Sequence, residues 1–196
     1  MPWRRASRLP CARKVEHRRK IVISPGDARR GGSCPLSHPS LLIVWHSRTG
    51  AAAALARAAA DGAGPAARLI EAGACQADDL LAAQGFLFVA PENLGSLSGA
   101  MKELFDRCYY PLLGRVEGRG YATIIAAGSD GSGAQRQLDR IVTGWRLRRI
   151  APPQIALVGA QTAAEILAPK AVTSSQLQAA RELGEAMAHG LALGVF

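Results

Sequence analysis

Leu41-Leu42-Ile43-Val44-Trp45 runs directly into His46-Ser47-Arg48-Thr49-Gly50 and then into an alanine-rich stretch, Ala51 to Ala60. A short unbroken apolar run that ends in polar residues and glycine reads as a strand buried on both faces. The stretch that follows reads as a turn and the start of a helix. The same unit recurs: apolar runs stand at Ala67–Ala72, Phe86–Ala90, Tyr121–Ala127 and Ile155–Val158.

Between these runs the period changes to that of a helix. After Ser98, the residues Met101, Leu104, Phe105, Cys108 and Leu112 fall on one helical face, and Pro111 disrupts the end. Leu138, Ile141, Val142 and Trp145 form a second such face. Leu177, Ala180, Gly184, Met187 and Leu191 form a third, opened by Ser175 and Gln178 in the form of a capping box. Five buried strands alternating with helices predict an α/β three-layer sandwich, a five-stranded parallel sheet with helices on both faces. Right-handed crossovers then favour the strand order 2-1-3-4-5.

The chain has 196 residues, 48% hydrophobic and 20% charged, which suits a globular domain with a sizeable core. No apolar run approaches the roughly 18–20 residues of a membrane span. The formal charge of +9 is unevenly placed. Residues 1–39 carry ten Lys/Arg against Glu16 and Asp27, so +8 of it lies there and residues 40–196 stand near neutrality. Residues 1–39 show no sustained period and many prolines and glycines. They read as a basic, disordered tail preceding a domain at 40–196. An organelle transit peptide or a nucleic-acid-binding arm is the rival reading of the tail. Cys11, Cys34, Cys75 and Cys108 form no CxxC pair. They read as reduced thiols, and the protein as cytoplasmic, without a disulfide framework or a cysteine metal site.

In a sheet of this order, ligands bind beyond the carboxyl ends of the strands. Ser47, Arg48, Thr49 and Gly50 follow the first strand and surround a helix N-terminus, a natural place for a phosphate, or else an ordinary capped turn. The third strand leads into Pro91-Glu92-Asn93-Leu94-Gly95-Ser96-Leu97-Ser98-Gly99. These nine irregular residues exceed the usual length of a strand-to-helix connection. A loop rich in Gly, Ser and Asn can bring backbone amides against a flat polar ring, and the rival reading is a plain connection with Ser96 or Ser98 as helix cap. The fourth strand ends in Gly128-Ser129-Asp130-Gly131-Ser132-Gly133, which is not the dinucleotide fingerprint expected after a first strand.

Together, Ser47–Gly50, the pattern from Pro91 through Gly95-Ser96, Ser98-Gly99 and Met101-Lys102 to Asp106-Arg107, and Gly128–Gly133 resemble the flavodoxin-like NAD(P)H-dependent FMN and quinone reductases. The resemblance covers nearly all of residues 41–196. It implies a flavodoxin-like fold and a bound FMN. The phosphate would rest on Ser47, Arg48, Thr49 and the amides of Gly50, Ala51 and Ala52. The ring would lie against Pro91, Glu92, Asn93, Leu94, Gly95 and Ser96, with Gly128, Ser129, Asp130, Gly131 and Gly133 closing the other side. Ala51 and Ala52 depart from the asparagine and hydroxyl residue usual there, which implies weaker FMN binding or compensation by Arg48.

The implied activity is hydride transfer from NAD(P)H through FMN to a quinone, a flavin or a similar small acceptor, with binding residues and no catalytic side chain. A homodimer or higher homo-oligomer is expected. The alternatives are an electron-transfer flavodoxin, disfavoured by the near-neutral body, a nucleic-acid binder acting through the tail, and a sheet that has lost its flavin. His46 is not expected to pair with Ser47, because neighbours on a strand point to opposite faces. His189 reads as a surface or core residue, Asp78 and Asp79 as helix starters, and Asp106-Arg107 as local ion pairs. Arg146, Arg148 and Arg149 read as a solvated helix end, with a nicotinamide-nucleotide phosphate site as the rival. Tyr109 and Tyr110 are left open between flavin stacking and a subunit contact.

Overall fold

The computed structural model describes residues 40–196, and the expectations placed on residues 1–39 lie outside the described residues. In chain order the elements are β1 (Leu41–Trp45), α1 (Ala51–Ala63), β2 (Ala67–Glu71), α2 (Ala77–Ala82), β3 (Gly85–Asn93), β4 (Ser96–Leu97), α3 (Gly99–Leu112), β5 (Gly120–Ala127), α4 (Ser132–Gly144), β6 (Arg148–Arg149), β7 (Gln154–Leu157), α5 (Ala163–Leu167) and α6 (Ser174–Ala192). The parallel sheet runs β2-β1-β3-β5, with β6 and β7 sharing the outer edge of β5. Counting the five main strands, the order is the expected 2-1-3-4-5.

The edge strand is broken for a legible reason. Tyr121 faces Arg149, yet Ile124 faces Gln154, so two residues of β5 stand opposite four on the edge. Pro152 and Pro153 fall in that interval and cannot donate to a ladder. The two extra residues preserve the in–out alternation, because the side-chain period of a strand is two.

That alternation builds two cores. Leu42, Val44, Phe86, Phe88 and Ala90 pack with Met101, Leu104 and Phe105 of α3, Leu138 of α4 and Trp145. Phe105 sits between Phe88 and Trp145, with ring centres 5.1 and 5.2 Å away. Leu41, Ile43, Leu87 and Val89 face the other way, onto α1 and α6. Here the alanine-rich sequence of α1 is explained by close approach: a Cβ on Gly184 of α6 would overlap the Ala59 carbonyl. The first helix can only be this thin if it is made of alanine, and its N-terminus is thereby held against the sheet end.

Several details differ from the sequence reading. The capping box of α6 lies two residues earlier, with Thr173 as cap and Gln176 reaching back. The residues after the third strand are not a loop. β3 continues through Asn93, turns through Leu94 and Gly95, both at positive φ, and returns as β4. Ser98 occupies the cap position of α3 but caps nothing. Ser96 instead donates to the Asn93 carbonyl. Arg149 is not a solvated residue: it pairs with Asp139 and lies over the Tyr121 ring. It also stands at the amino end of β5, opposite the end where ligands bind in such sheets.

Candidate functional site

A cavity of about 720 Å³ opens at the carboxyl ends of β1, β3 and β5. Its floor and walls come from Ser47, Arg48, Thr49, Ala51 and Ala52, from Pro91 through Leu94, and from Ala126, Ala127 and Gly128. Thus the three chain segments singled out in the sequence do converge on one space. The convergence follows from topology, since parallel strands all deliver their following loops to one end of the sheet.

At one end of the cavity stands the N-terminus of α1. Gly50 takes φ +99°, turning the chain so that the first helical bond runs from Ala54 to the Gly50 carbonyl. No side chain caps this helix. The Ser47 hydroxyl accepts from the Gly50 amide at 3.1 Å, so it tightens the turn and leaves the following amides to face a ligand. Arg48 is exposed beside them. Uncapped N–H groups, a helix dipole and a guanidinium favour a phosphate here.

The opposite wall is the β3–β4 hairpin. Pro91 to Asn93 present extended backbone to the cavity, and Leu94 at the tip is fully exposed at φ +53°. Glu92 lines the cavity, yet both its oxygens are engaged elsewhere. Oε2 accepts from the Gly131 amide at 2.7 Å and Oε1 from the Ala134 amide at 3.1 Å. Of the expected glycine loop only Gly128 lines the space. Gly131 is buried, and Gly133 lies against the Gly95 carbonyl. Ser129 and Asp130 are exposed, and Asp130 accepts from Ser132. Gly95 and Ser96 shape the hairpin without lining the cavity.

Sequence reasoning missed the third side. Val158, Ala160, Ile166, Leu167 and Lys170 complete the lining. Thr162 and Glu165 form a capping box at α5, and the Lys170 ammonium gathers the carbonyls of Glu165, Ile166 and Ala168. The Lys170 amide donates to the Thr49 carbonyl at 2.7 Å, which fixes this segment to the phosphate-type turn. The Thr-x-x-Glu signature was visible in the sequence, but nothing local said that the helix would lean over the site.

His46 joins the two walls. Its Nδ1 lies 3.0 Å from the Ser98 hydroxyl, and Ser98 is fully buried. Burial holds the His46 pKa below its ordinary value; nearby Glu71 opposes this and Arg48 reinforces it. As expected, His46 does not pair with Ser47. Its partner is the residue just before α3, 52 residues away, which no sequence spacing announces. A second space of about 280 Å³ lies beside the first, lined by His46, Arg48, Asn93, Gly99 and Ala100.

The remaining singled-out residues lie outside the cavity lining. Arg107 bonds Glu103 on its own helix and reaches the carbonyls of Cys75 and Ala72, which ties α3 to the turn after β2. Asp79 closes a capping box with Gln76 at α2. His189 is exposed on α6, and Tyr109 and Tyr110 make an edge-on pair at the end of α3. Cys75 and Cys108 are free and buried, and burial pushes the Cys75 thiol up to about 12, far from any reactive range.

Residues 74–163 match the family model for NADPH-dependent FMN reductase, a span that includes the hairpin and the Gly128–Gly133 segment. The chain has the flavodoxin-like fold. It is 29% identical over 107 residues to a flavodoxin of Aquifex aeolicus, covering 53% of this chain and 58% of that relative. The match therefore spans little more than half of the relative's length. Among solved structures, an archaeal flavodoxin superposes with a TM-score of 0.62 at 16% identity, over 78% of this chain and 98% of that one. A flavodoxin, WrbA-like protein from Agrobacterium tumefaciens gives 0.60 at 19% identity, over 78% and 97%. At these identities the superpositions establish the flavodoxin-like fold. No helix among the described residues is long and apolar enough to cross a membrane.

Proposed function

We propose that the chain is an FMN-dependent oxidoreductase that takes a hydride from NAD(P)H and passes electrons to a quinone, a flavin or a similar small acceptor. The observation that carries this reading is the shape of the cavity: an uncapped helix N-terminus with Arg48 at one end, flat peptide walls at the other. Its volume of about 720 Å³ falls in the range of small-molecule and cofactor sites. The residues present fit FMN. The amides opening α1, with Thr49 and Arg48, would hold the phosphate. The backbone from Pro91 to Leu94 and that from Ala126 to Gly128 would flank the ring. Bound FMN would supply the redox chemistry. The protein's part is to bind, orient and shield, with Ile166 and Leu167 keeping water from the outer side.

The chain's similarity to an FMN reductase family model supports the reductase reading, and its flavodoxin relative supports a carrier. The near-neutral charge of residues 40–196 favours the reductase, since a carrier docks on partner proteins through a charged face. We further propose a cytoplasmic homodimer or higher homo-oligomer, in keeping with the free thiols of Cys75 and Cys108. The deciding experiment is the visible spectrum of the purified full chain with FMN added and the excess removed, followed by anaerobic NADH or NADPH. Retained bands that bleach with pyridine nucleotide establish the reductase. Retained bands that bleach only with a partner reductase establish a carrier, and a chain that never retains flavin overturns both.

A further inference from the structure

We propose that Glu92 is a positioning residue: it sets the gap between the hairpin wall and the Gly128 side of the ring pocket by capping α4 from the neighbouring strand β3. This rests on the FMN reading above. The need for such a cap arises within α4 itself. Its N-cap position is Gly131, at φ +82°, and a Cβ there would lie 2.6 Å from the Ile155 side chain. No side chain can therefore occupy the cap position, and none caps the helix locally. Glu92, 39 residues earlier on β3, supplies the acceptor instead, with one oxygen on Gly131 and the other on Ala134.

Two neighbouring contacts extend the clamp. Gly133 meets the Gly95 carbonyl so closely that a Cβ would overlap it, and the Leu97 amide donates to Gln137 at 2.7 Å. The hairpin and the first turn of α4 thus form one body, and Glu92 is its charged link. A carboxylate at a helix N-terminus is held by charge-assisted bonds and by the dipole, the strongest form of such a cap. Because Pro91 and Asn93 flank Glu92 on the cavity wall, losing the link lets that wall shift relative to Gly128. Glu92 acts on the ring through the wall it fixes, not by touching it.

The test uses the full chain as wild type, Glu92→Ala and Glu92→Gln. Amide exchange over residues 128–136 is measured without ligand, FMN affinity by flavin fluorescence, and ring environment by visible circular dichroism. In Glu92→Ala, exchange of the first α4 amides should accelerate about tenfold or more while α6 is unchanged. FMN binding should weaken by about tenfold to a hundredfold, with altered dichroism. Glu92→Gln keeps one acceptor oxygen and should fall between the two, which separates loss of the clamp from general damage. A Glu92→Ala chain that keeps wild-type exchange, or that binds FMN within about twofold with unchanged dichroism, overturns the role of Glu92 alone. A wild-type chain that takes no FMN overturns the functional reading instead.

Discussion

The two walls of the cavity are built by opposite means. The hairpin and α4 are braced by side chains: Glu92 crosses to Gly131 and Ala134, and Gln137 crosses to Leu97. The α1 side has no such brace at its helix N-terminus, which no side chain caps. It holds its place through alanine packing against α6 and through one backbone bond, from the Lys170 amide to the Thr49 carbonyl. The difference matches what each wall must do. Flat peptide walls must keep a fixed spacing, and rigid cross-links keep it. A helix end that offers bare amides to an anion must leave them unengaged, so it is positioned from behind.

The largest effect should come from filling the contact that lets the braced wall close. Gly133→Ala forces a Cβ into the Gly95 carbonyl, and overpacking of this kind costs on the order of 2–3 kcal/mol. A lowered Tm together with lost FMN binding is expected; a variant as stable as wild type would show that the wall gives way freely. On the other side, Arg48→Ala should leave Tm nearly unchanged, because Arg48 is exposed. It should weaken FMN by about tenfold to a hundredfold, the worth of a charge-assisted contact, and weaken riboflavin, which lacks the phosphate, hardly at all. Equal losses for both ligands would move the phosphate away from α1. If the braced wall tolerated its substitution while the bare one collapsed, the contrast between the walls would be reversed.

Much of this was legible in the sequence, and the pattern of successes has a physical cause. The strand β1 and the site turn after it could be read because a buried parallel strand must be apolar throughout. The turn residues that follow lie at a strand end, where topology gathers ligand contacts. The hairpin could not be read, because Leu94 takes a positive φ that sequence rules reserve for glycine or asparagine. That Glu92 would also bond the Gly131 and Ala134 amides could not be read, because those partners lie 39 and 42 residues away in sequence. Ile166, Leu167 and Lys170 were missed for the same reason: which segment leans over a cavity is settled by packing at long range, not by local spacing.

Between the walls lies the His46–Ser98 pair, and smaller effects should register there. Ser98→Ala leaves the half-buried imidazole without its partner and should cost about 1 kcal/mol. The least effect, and the most diagnostic, is that of pH. Burial depresses the His46 pKa below 6.5, against the pull of Glu71 and with the help of Arg48. In the unfolded chain His46 takes a proton as pH falls through 6.5, while in the folded chain it stays neutral until lower pH. The unfolded state then binds more protons, so stability falls on acidification and levels off once the folded residue also titrates. Chemical denaturation at a series of pH values from neutral to mildly acidic measures this slope. Substituting His46 by Gln, which keeps a polar group near Ser98 but does not titrate, should remove that part of the slope and leave stability at neutral pH little changed. A slope that survived the substitution would assign the acid sensitivity to other groups, and the joint between the two walls would then be indifferent to pH.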